Sequence, residues 1–174
     1  MQIQLSKISS MDGASQTMAV PFEMEEITLQ SGSFPVVSKE DVVVNITNIG
    51  RHVLDIEGKT ALTVAIPCDR CLKDVHRRLD LSFQLRLDMK LTDEDRIECL
   101  DESSYLTGME LDVDRLVFQE AVLNWPQKIL CRQDCKGLCP SCGKDLNNGP
   151  CGCQEGPKDL RMAAFSDLKG LFGK

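Results

Sequence analysis

The longest regular pattern in the chain is an alternation of apolar and polar positions. Leu79, Leu81, Phe83, Leu85, Leu87 and Met89 fall on one side of it, and Asp80, Ser82, Gln84, Arg86, Asp88 and Lys90 on the other. Successive side chains of an extended strand point to opposite faces, so a period of two held this long predicts a half-buried antiparallel strand. A second such segment precedes it, Thr60–Pro67, with Leu62, Val64 and Ile66 on one face. Upstream, Gln2–Ile8 predicts a short strand carrying Ile3 and Leu5, and Glu23–Leu29 predicts another, bounded by Pro21 and a Ser31-Gly32-Ser33 turn. Asp41–Thr47 is rich in β-branched residues and strongly strand-like. After a turn at Asn48-Ile49-Gly50, Arg51–Glu57 offers Val53, Leu54 and Ile56 as one more strand. Gly58-Lys59 is read as a tight hairpin turn, and residues 9–20, polar and small, as a loop or frayed turn.

Two segments change period. In Asp112–Asn124 the apolar positions Val113, Leu116, Val117 and Ala121 share one helical face, Asp112 suits the N-cap, and Trp125-Pro126 ends the run. After Gly156-Pro157, Leu160, Ala164, Leu168 and Leu171 form a stripe flanked by Phe165 and Phe172, which predicts a final amphipathic helix. Between the strands and the first helix, residues 93–114 hold nine Asp/Glu and are read as an exposed acidic loop. These elements predict an α+β fold. It is mainly antiparallel β-sheet, curled or barrel-like, of five or six strands, with one or two helices and a cysteine-rich zinc-knuckle tail. Residues 1–128 form the β-rich body with its covering helix near 112–124. Residues 129–174 form the metal-binding tail and the terminal helix.

Composition adds little to that picture except through charge. Aromatic residues are scarce, so the core is aliphatic. No run reaches the length of a membrane span, which excludes an integral helical membrane protein. Residues 1–125 hold 12 Lys/Arg against 22 Asp/Glu, whereas residues 126–174 hold 8 against 5. The body therefore repels a phosphate backbone, and the tail tolerates or attracts one.

The chemistry lies in the cysteines. Six of the nine fall within Cys131–Cys153. Cys139-Pro-Ser-Cys142-Gly143 and Cys151-Gly-Cys153 have the spacing of a tetrahedral metal site, because thiolates two residues apart across a tight turn can face one ion. Gly143 supplies the permissive backbone of such a knuckle, and its N–H is available to a ligand sulfur. Leu146–Pro150 is read as the turn that returns the second pair. Cys68-Asp-Arg-Cys71 sits at a tip between two strands, and Cys131-x-x-x-Cys135 follows the helix. If these two pairs meet, a second ion ties sheet to tail; the alternative is a single ion that recruits Cys131 or Cys135. Cys99 has no partner within four residues and is left out of any site.

Three disulfides are the rival reading. They need an oxidising compartment, and the N-terminal residues show no apolar core of signal-peptide length. A cytoplasmic location follows as the expectation, and clustered thiols there favour metal. Zinc is preferred because soft thiolates in a small closed knuckle suit a redox-silent ion, with an iron–sulfur cluster as the alternative. Four thiolates leave no open coordination position, so such a site is structural. Lys136, Lys144 and Arg70 are placed to soften its negative charge.

Taken together, Cys68-Asp-Arg-Cys71-Leu72, a Leu-Asn-Trp-Pro segment, and Cys131-x-x-x-Cys135-Lys-Gly-Leu-Cys139-Pro-x-Cys142-Gly-x-x-Leu146-Asn147 with Cys151-x-Cys153 resemble the bacterial YceD family. The likeness spans about residues 50–174. It implies a cytoplasmic protein without catalytic activity that serves assembly of the large ribosomal subunit and accumulation of its RNA. The partner expected is ribosomal RNA or a large-subunit ribosomal protein, met by a tail braced by one or two zinc ions, with Arg132, Lys136 and Lys144 as contact residues. No membrane and no small-molecule substrate enters this reading. A thiol-based redox sensor or metal-handling protein is the second reading, since cysteines beside Lys or Arg are reactive. It lacks a thioredoxin-like pattern around Cys68 or Cys139. Enzymatic activity is the third. His52 and His76 are the only histidines, and neither has a nucleophile context of known form.

Overall fold

The computed structural model describes residues 1–91 and 105–153. In chain order these form β1 (Gln2–Gln4), α1 (Ser6–Ser9), β2 (Ser15–Val20), β3 (Glu26–Leu29), β4 (Gly32–Lys39), β5 (Val42–Asn48), β6 (Val53–Pro67), β7 (Asp74–Asp88), β8 (Leu106–Thr107), β9 (Glu110–Asp112), α2 (Val113–Leu123) and a single 3-10 turn at Leu146–Asn148. Strands β6 and β7 pair along their whole 15-residue length, from Val53 opposite Asp88 to Pro67 opposite Asp74. That pairing is the alternating pattern made physical. Leu79, Leu81, Phe83 and Leu87 are buried on the same face as Leu54, Ile56, Leu62 and Val64.

The other edge of β6 is shared. Its first half pairs with β5 and its second with β4. Strands β4 and β5 are thus nearly one track, broken at Glu40-Asp41. There Glu40 N–H donates to Ala61 O at 2.9 Å, and the Thr60 hydroxyl donates to Glu40 O at 2.7 Å. Strand β2 extends the sheet beyond β5, and β3 extends it beyond β4. Among the described residues the sheet has free edges at β2, β3 and β7 and does not close. The antiparallel expectation holds; closure into a barrel is not seen. A small sheet of order β1-β9-β8 leads into α2, which packs on β7 through its buried face, Val113, Leu116, Val117 and Ala121. The Asp112 carboxylate accepts from Arg115 N–H at 3.1 Å, as an N-cap should. Trp125, just past the helix, lies 5.0 Å from the Phe34 ring of β4, and so fixes where the chain leaves the body.

Three expectations change. Gly58-Lys59 is no turn; Gly58 lies mid-strand opposite Phe83, where a Cβ would sit 2.1 Å from the ring. The glycine makes room for an aromatic side chain across the strand. Within residues 9–20, Ser15–Val20 is an edge strand rather than a loop. Its outer face is polar because Ser15 and Thr17 bond to Thr47 and Asn45 of β5 at 3.0 and 3.1 Å, so it carries no apolar signal. Finally, the first strand stops at Gln4 and the chain turns into α1, which buries Leu5 and Ile8. Asn48 holds this turn in place: fully buried, it donates to Ile8 O and Ser9 O at 2.9 and 3.0 Å and accepts from Gly50 N–H at 2.9 Å. The terminal helix and most of the acidic segment lie outside the described residues, as does Cys99; the acidic segment's described end forms β8 and β9. Among the described residues no helix is long and apolar enough to cross a membrane.

Candidate metal centre

Where β6 ends and β7 begins, the chain must reverse between two strands paired to their ends. Residues Cys68–Lys73 do this: Cys68 N–H donates to Lys73 O at 2.8 Å, and Leu72 N–H donates to Cys68 O at 3.0 Å. Leu72 takes φ +60°, and it is exposed, so no core packing pulls it elsewhere. Cys68 and Cys71 are buried at this tip.

The segment after α2 is brought to the same tip by bonds from both backbone and side chains. Asp69 N–H donates to Ile129 O at 2.9 Å, and the Asp69 carboxylate accepts from Ile129 N–H at 2.7 Å. Arg70 Nη1 donates to Cys135 O at 2.7 Å, and Leu138 N–H donates to Arg70 O at 3.0 Å. Gly137 makes the last contact possible. It takes φ +77°, and a Cβ there would lie 2.8 Å from Arg70 O. The result is a first cluster: Cys68 Sγ lies 3.9 Å from Cys135 Sγ, and Cys71 Sγ lies 3.6 Å from Cys131 Sγ. All four sulfurs fall within 4.8 Å of one another.

Cys139, Cys142, Cys151 and Cys153 form the second cluster, also within 4.8 Å, with Cys139 and Cys151 sulfurs 3.3 Å apart. Cys139 N–H donates to Lys144 O at 2.8 Å, and Gly143 N–H donates to Cys139 O at 2.9 Å, closing the knuckle. The Gly143 N–H thus serves the backbone turn and not a sulfur. The 3-10 turn at Leu146–Asn148 carries the chain back to Cys151, with the Asp145 carboxylate capping it by accepting from Asn147 N–H at 2.9 Å.

The donor sets suit a tetrahedral thiophilic ion. Bonds of ~2.3 Å from sulfur to zinc in a tetrahedron separate the sulfurs by about 3.8 Å. The separations of 3.6 and 3.9 Å in the first cluster bracket that value, whereas the 3.3 Å pair in the second is shorter and would have to open on metal binding. The electrostatics point the same way. Burial works against ionisation of Cys68, but the N–H groups of Arg70, Cys131 and Cys71 outweigh it and bring the thiol down to about 6. In the same cluster Cys131, whose sulfur sits among three others, is pushed up to about 12, first by burial and then by the neighbouring sulfurs. In the second cluster the N–H groups of Cys142 and Ser141 hold Cys139 down at about 6, while the Cys142 sulfur is the leading cause that pushes Cys153 up to about 12. Four sulfurs so close cannot all carry charge by themselves; a divalent cation removes the conflict.

The two clusters differ in exposure. Three cysteines of the first are buried, whereas Cys142 and Cys153 of the second are exposed. Among the expected contact residues, Arg132 donates to the Asn147 side chain at 2.7 Å and pairs with Asp134, and Lys144 Nζ donates to Pro150 O at 3.0 Å. Lys136 is exposed. Spacing alone did not single out Lys73, Asp145 and Asn147, which join the two clusters. Lys73 Nζ lies 2.7 Å from Asp145 Oδ2, and Asn147 Nδ2 lies 3.4 Å from Cys135 Sγ. Their only advance signal was position, beside or between cysteine pairs.

Comparison with known proteins places this arrangement. An uncharacterised protein of Mycobacterium bovis is 28% identical over 132 residues, which is 75% of this chain and 62% of the relative. Uncharacterised proteins of two Mycobacterium tuberculosis strains match equally well. The chain thus spans about 62% of the length of the curated relatives it matches. No solved structure matches it. The family model described as large ribosomal RNA subunit accumulation protein YceD matches residues 56–171, a region that holds all eight cysteines of both clusters. By this match the chain belongs to the YceD family.

Proposed function

We propose that the protein is a non-enzymatic factor for accumulation of the large ribosomal RNA subunit, acting in the cytoplasm. Two zinc ions brace its tail, one held by Cys68, Cys71, Cys131 and Cys135, the other by Cys139, Cys142, Cys151 and Cys153. The observation that carries this reading is the meeting of two distant cysteine pairs at the β6–β7 tip, inside the region that matches the family. Two units follow, a β-rich body of residues 1–128 and a tail of residues 129–174, fastened by the first ion. Zinc in small peptide sites binds with roughly 10–16 kcal/mol, comparable to the ~5–15 kcal/mol net stability of a whole domain. Each ion therefore decides whether its region holds its shape.

Four-thiolate sites offer no open position for substrate, which supports a binding role over a catalytic one. The two histidines support it too. His52 borders Val53 and His76 pairs with Ala65, 12 residues along the same strand, so they stand about 40 Å apart and cannot share a site. The partner is ribosomal RNA or a large-subunit ribosomal protein, met by the exposed face of the tail around Arg132, Lys136 and Lys144. Depleting the protein and sedimenting cell extracts tests the role. Large-subunit particles and their RNA fall if the reading is right; unchanged subunit profiles in a clean deletion contradict it.

A second reading rests on the exposure of Cys142 and Cys153. Exposed sulfurs are within reach of oxidants, and a thiol-based redox sensor would use them. Ready, reversible metal release under mild oxidant distinguishes it from a structural brace.

A further inference from the structure

The turn between the two cysteine pairs of the second cluster serves the first cluster as well. Asn147 lies on that turn, between Cys142 and Cys151. Its side chain is not directed at the cluster it belongs to. Nδ2 donates to Cys135 Sγ of the first cluster at 3.4 Å and to Asp145 Oδ1 at 2.7 Å. Oδ1 accepts from Lys136 N–H at 2.8 Å and from Arg132 Nη2 at 2.7 Å, both within the Cys131–Cys135 loop or next to it. The backbone repeats the connection: Leu146 N–H donates to Gly137 O at 2.9 Å, and Leu138 forms a bridge with Asp145. Both bonds to the amide oxygen and one of the two from its nitrogen are thus spent on the loop that carries a ligand of the other cluster, and the second N–H bond braces Asn147 on its own turn.

We propose that Asn147 is a positioning residue that couples the two metal sites, so that filling the second cluster strengthens metal binding at the first. This rests on the reading of both clusters as metal sites. The physical chain is short. A metal on Cys139, Cys142, Cys151 and Cys153 fixes both ends of the turn. The fixed turn delivers the Asn147 N–H to Cys135 Sγ and its oxygen to the Cys131–Cys135 loop. An N–H bonded to a thiolate stabilises its charge and fixes its direction, and loss of such a partner typically weakens a metal site ten- to hundredfold, roughly. Without the second metal the turn loses its two fixed ends and keeps only its hydrogen bonds and the Lys73–Asp145 ion pair, so the first site loses part of that support. Coupling is reciprocal, so the first metal strengthens the second by the same factor.

The test uses the full chain loaded with cadmium-113, whose resonances report thiolate sites one by one while a competing chelator withdraws the metal. Cys142→Ser with Cys153→Ser empties the second cluster through its two exposed members. The first site should then hold metal about tenfold less tightly. Asn147→Ala should bring the intact protein to the same level, shift the first site's resonance, and add nothing in the emptied background. Asn147→Asp keeps the oxygen that accepts from Arg132 and Lys136 while removing the N–H, and should weaken the first site as Ala does. Equal affinity of the first site with and without the second metal overturns the coupling and leaves the two-metal reading standing. So does an Asn147→Ala loss of the same size in both backgrounds. Absence of any thiolate-bound cadmium resonance overturns both.

Discussion

Lys73, at the last position of the β6–β7 turn, holds its ammonium 2.7 Å from the carboxylate of Asp145, inside the second knuckle. The pair ties the hairpin tip to a loop 72 residues further along. Lys73 is the leading cause that keeps the Asp145 carboxyl at about 2, with Asn147 N–H next. A carboxyl depressed on folding contributes stability that is complete above its ordinary range and lost as pH falls through the folded value. For Asp145 that window lies between its usual value of 3.8 and about 2. The thiols titrate higher, with Cys68 and Cys139 at about 6 before metal binds. Acid release of metal is therefore governed by sulfur protonation. Asp145→Asn should weaken metal retention by a constant factor between pH 5 and pH 8 and leave the shape of the pH profile unchanged. Chelator competition across that range measures it; a profile that steepens or flattens in the variant contradicts the assignment.

Gly58 faces Phe83 across the central pair of strands. A methyl group there would overlap the ring at 2.1 Å from Cζ, so Gly58→Ala forces the aromatic side chain off its site. Overpacking of this kind costs about 1–3 kcal/mol. Urea unfolding should show that loss, and Phe83→Leu introduced with it should recover part of the midpoint. An Ala variant as stable as the parent would mean the ring does not lie over this position.

Asn48 is buried and makes three hydrogen bonds to the backbone. Asn48→Ala removes the partner of Ser9 O and of Gly50 N–H and leaves Ile8 O with only the Met11 N–H at 3.3 Å, at a cost of about 1–3 kcal/mol. Ser10→Ala, which removes a single exposed bond to Lys7 O, should be near neutral. Denaturant midpoints of the two variants, compared side by side, decide whether the buried asparagine holds the α1 turn.

Gly137 closes the approach of the tail to the hairpin tip. Gly137→Ala meets both a left-handed backbone and the Arg70 carbonyl at 2.8 Å. Strain at such a position costs about 1–3 kcal/mol. The β-sheet should keep its unfolding midpoint while the first metal is withdrawn at lower chelator concentration and residues 129–138 become sensitive to protease. Equal loss of sheet stability and metal would place the glycine in the core of the body instead.

Much of this was legible in residue order, for identifiable reasons. A period of two over Leu79–Met89 survives because β7 has one face on the core and one in water. The grouping of the cysteines follows because two knuckle spacings leave two orphan pairs, which the structure brings together at the β6–β7 tip. Other features carry no local signature. Strand β2 is polar on its outer face, so it has little periodicity to read. Gly58 mimics a turn residue because glycine serves both where a side chain must be missing and where the chain bends. Lys73, Asp145 and Asn147 are ordinary surface types, and their roles arise only when the hairpin tip and the knuckle touch.

The most direct test of the two-metal brace is native mass spectrometry of the chain purified under reducing conditions. Two zinc ions per chain are expected, with eight cysteines deprotonated to hold them. A mass corresponding to no metal, to a single ion, or to sulfurs joined in disulfides would contradict the brace.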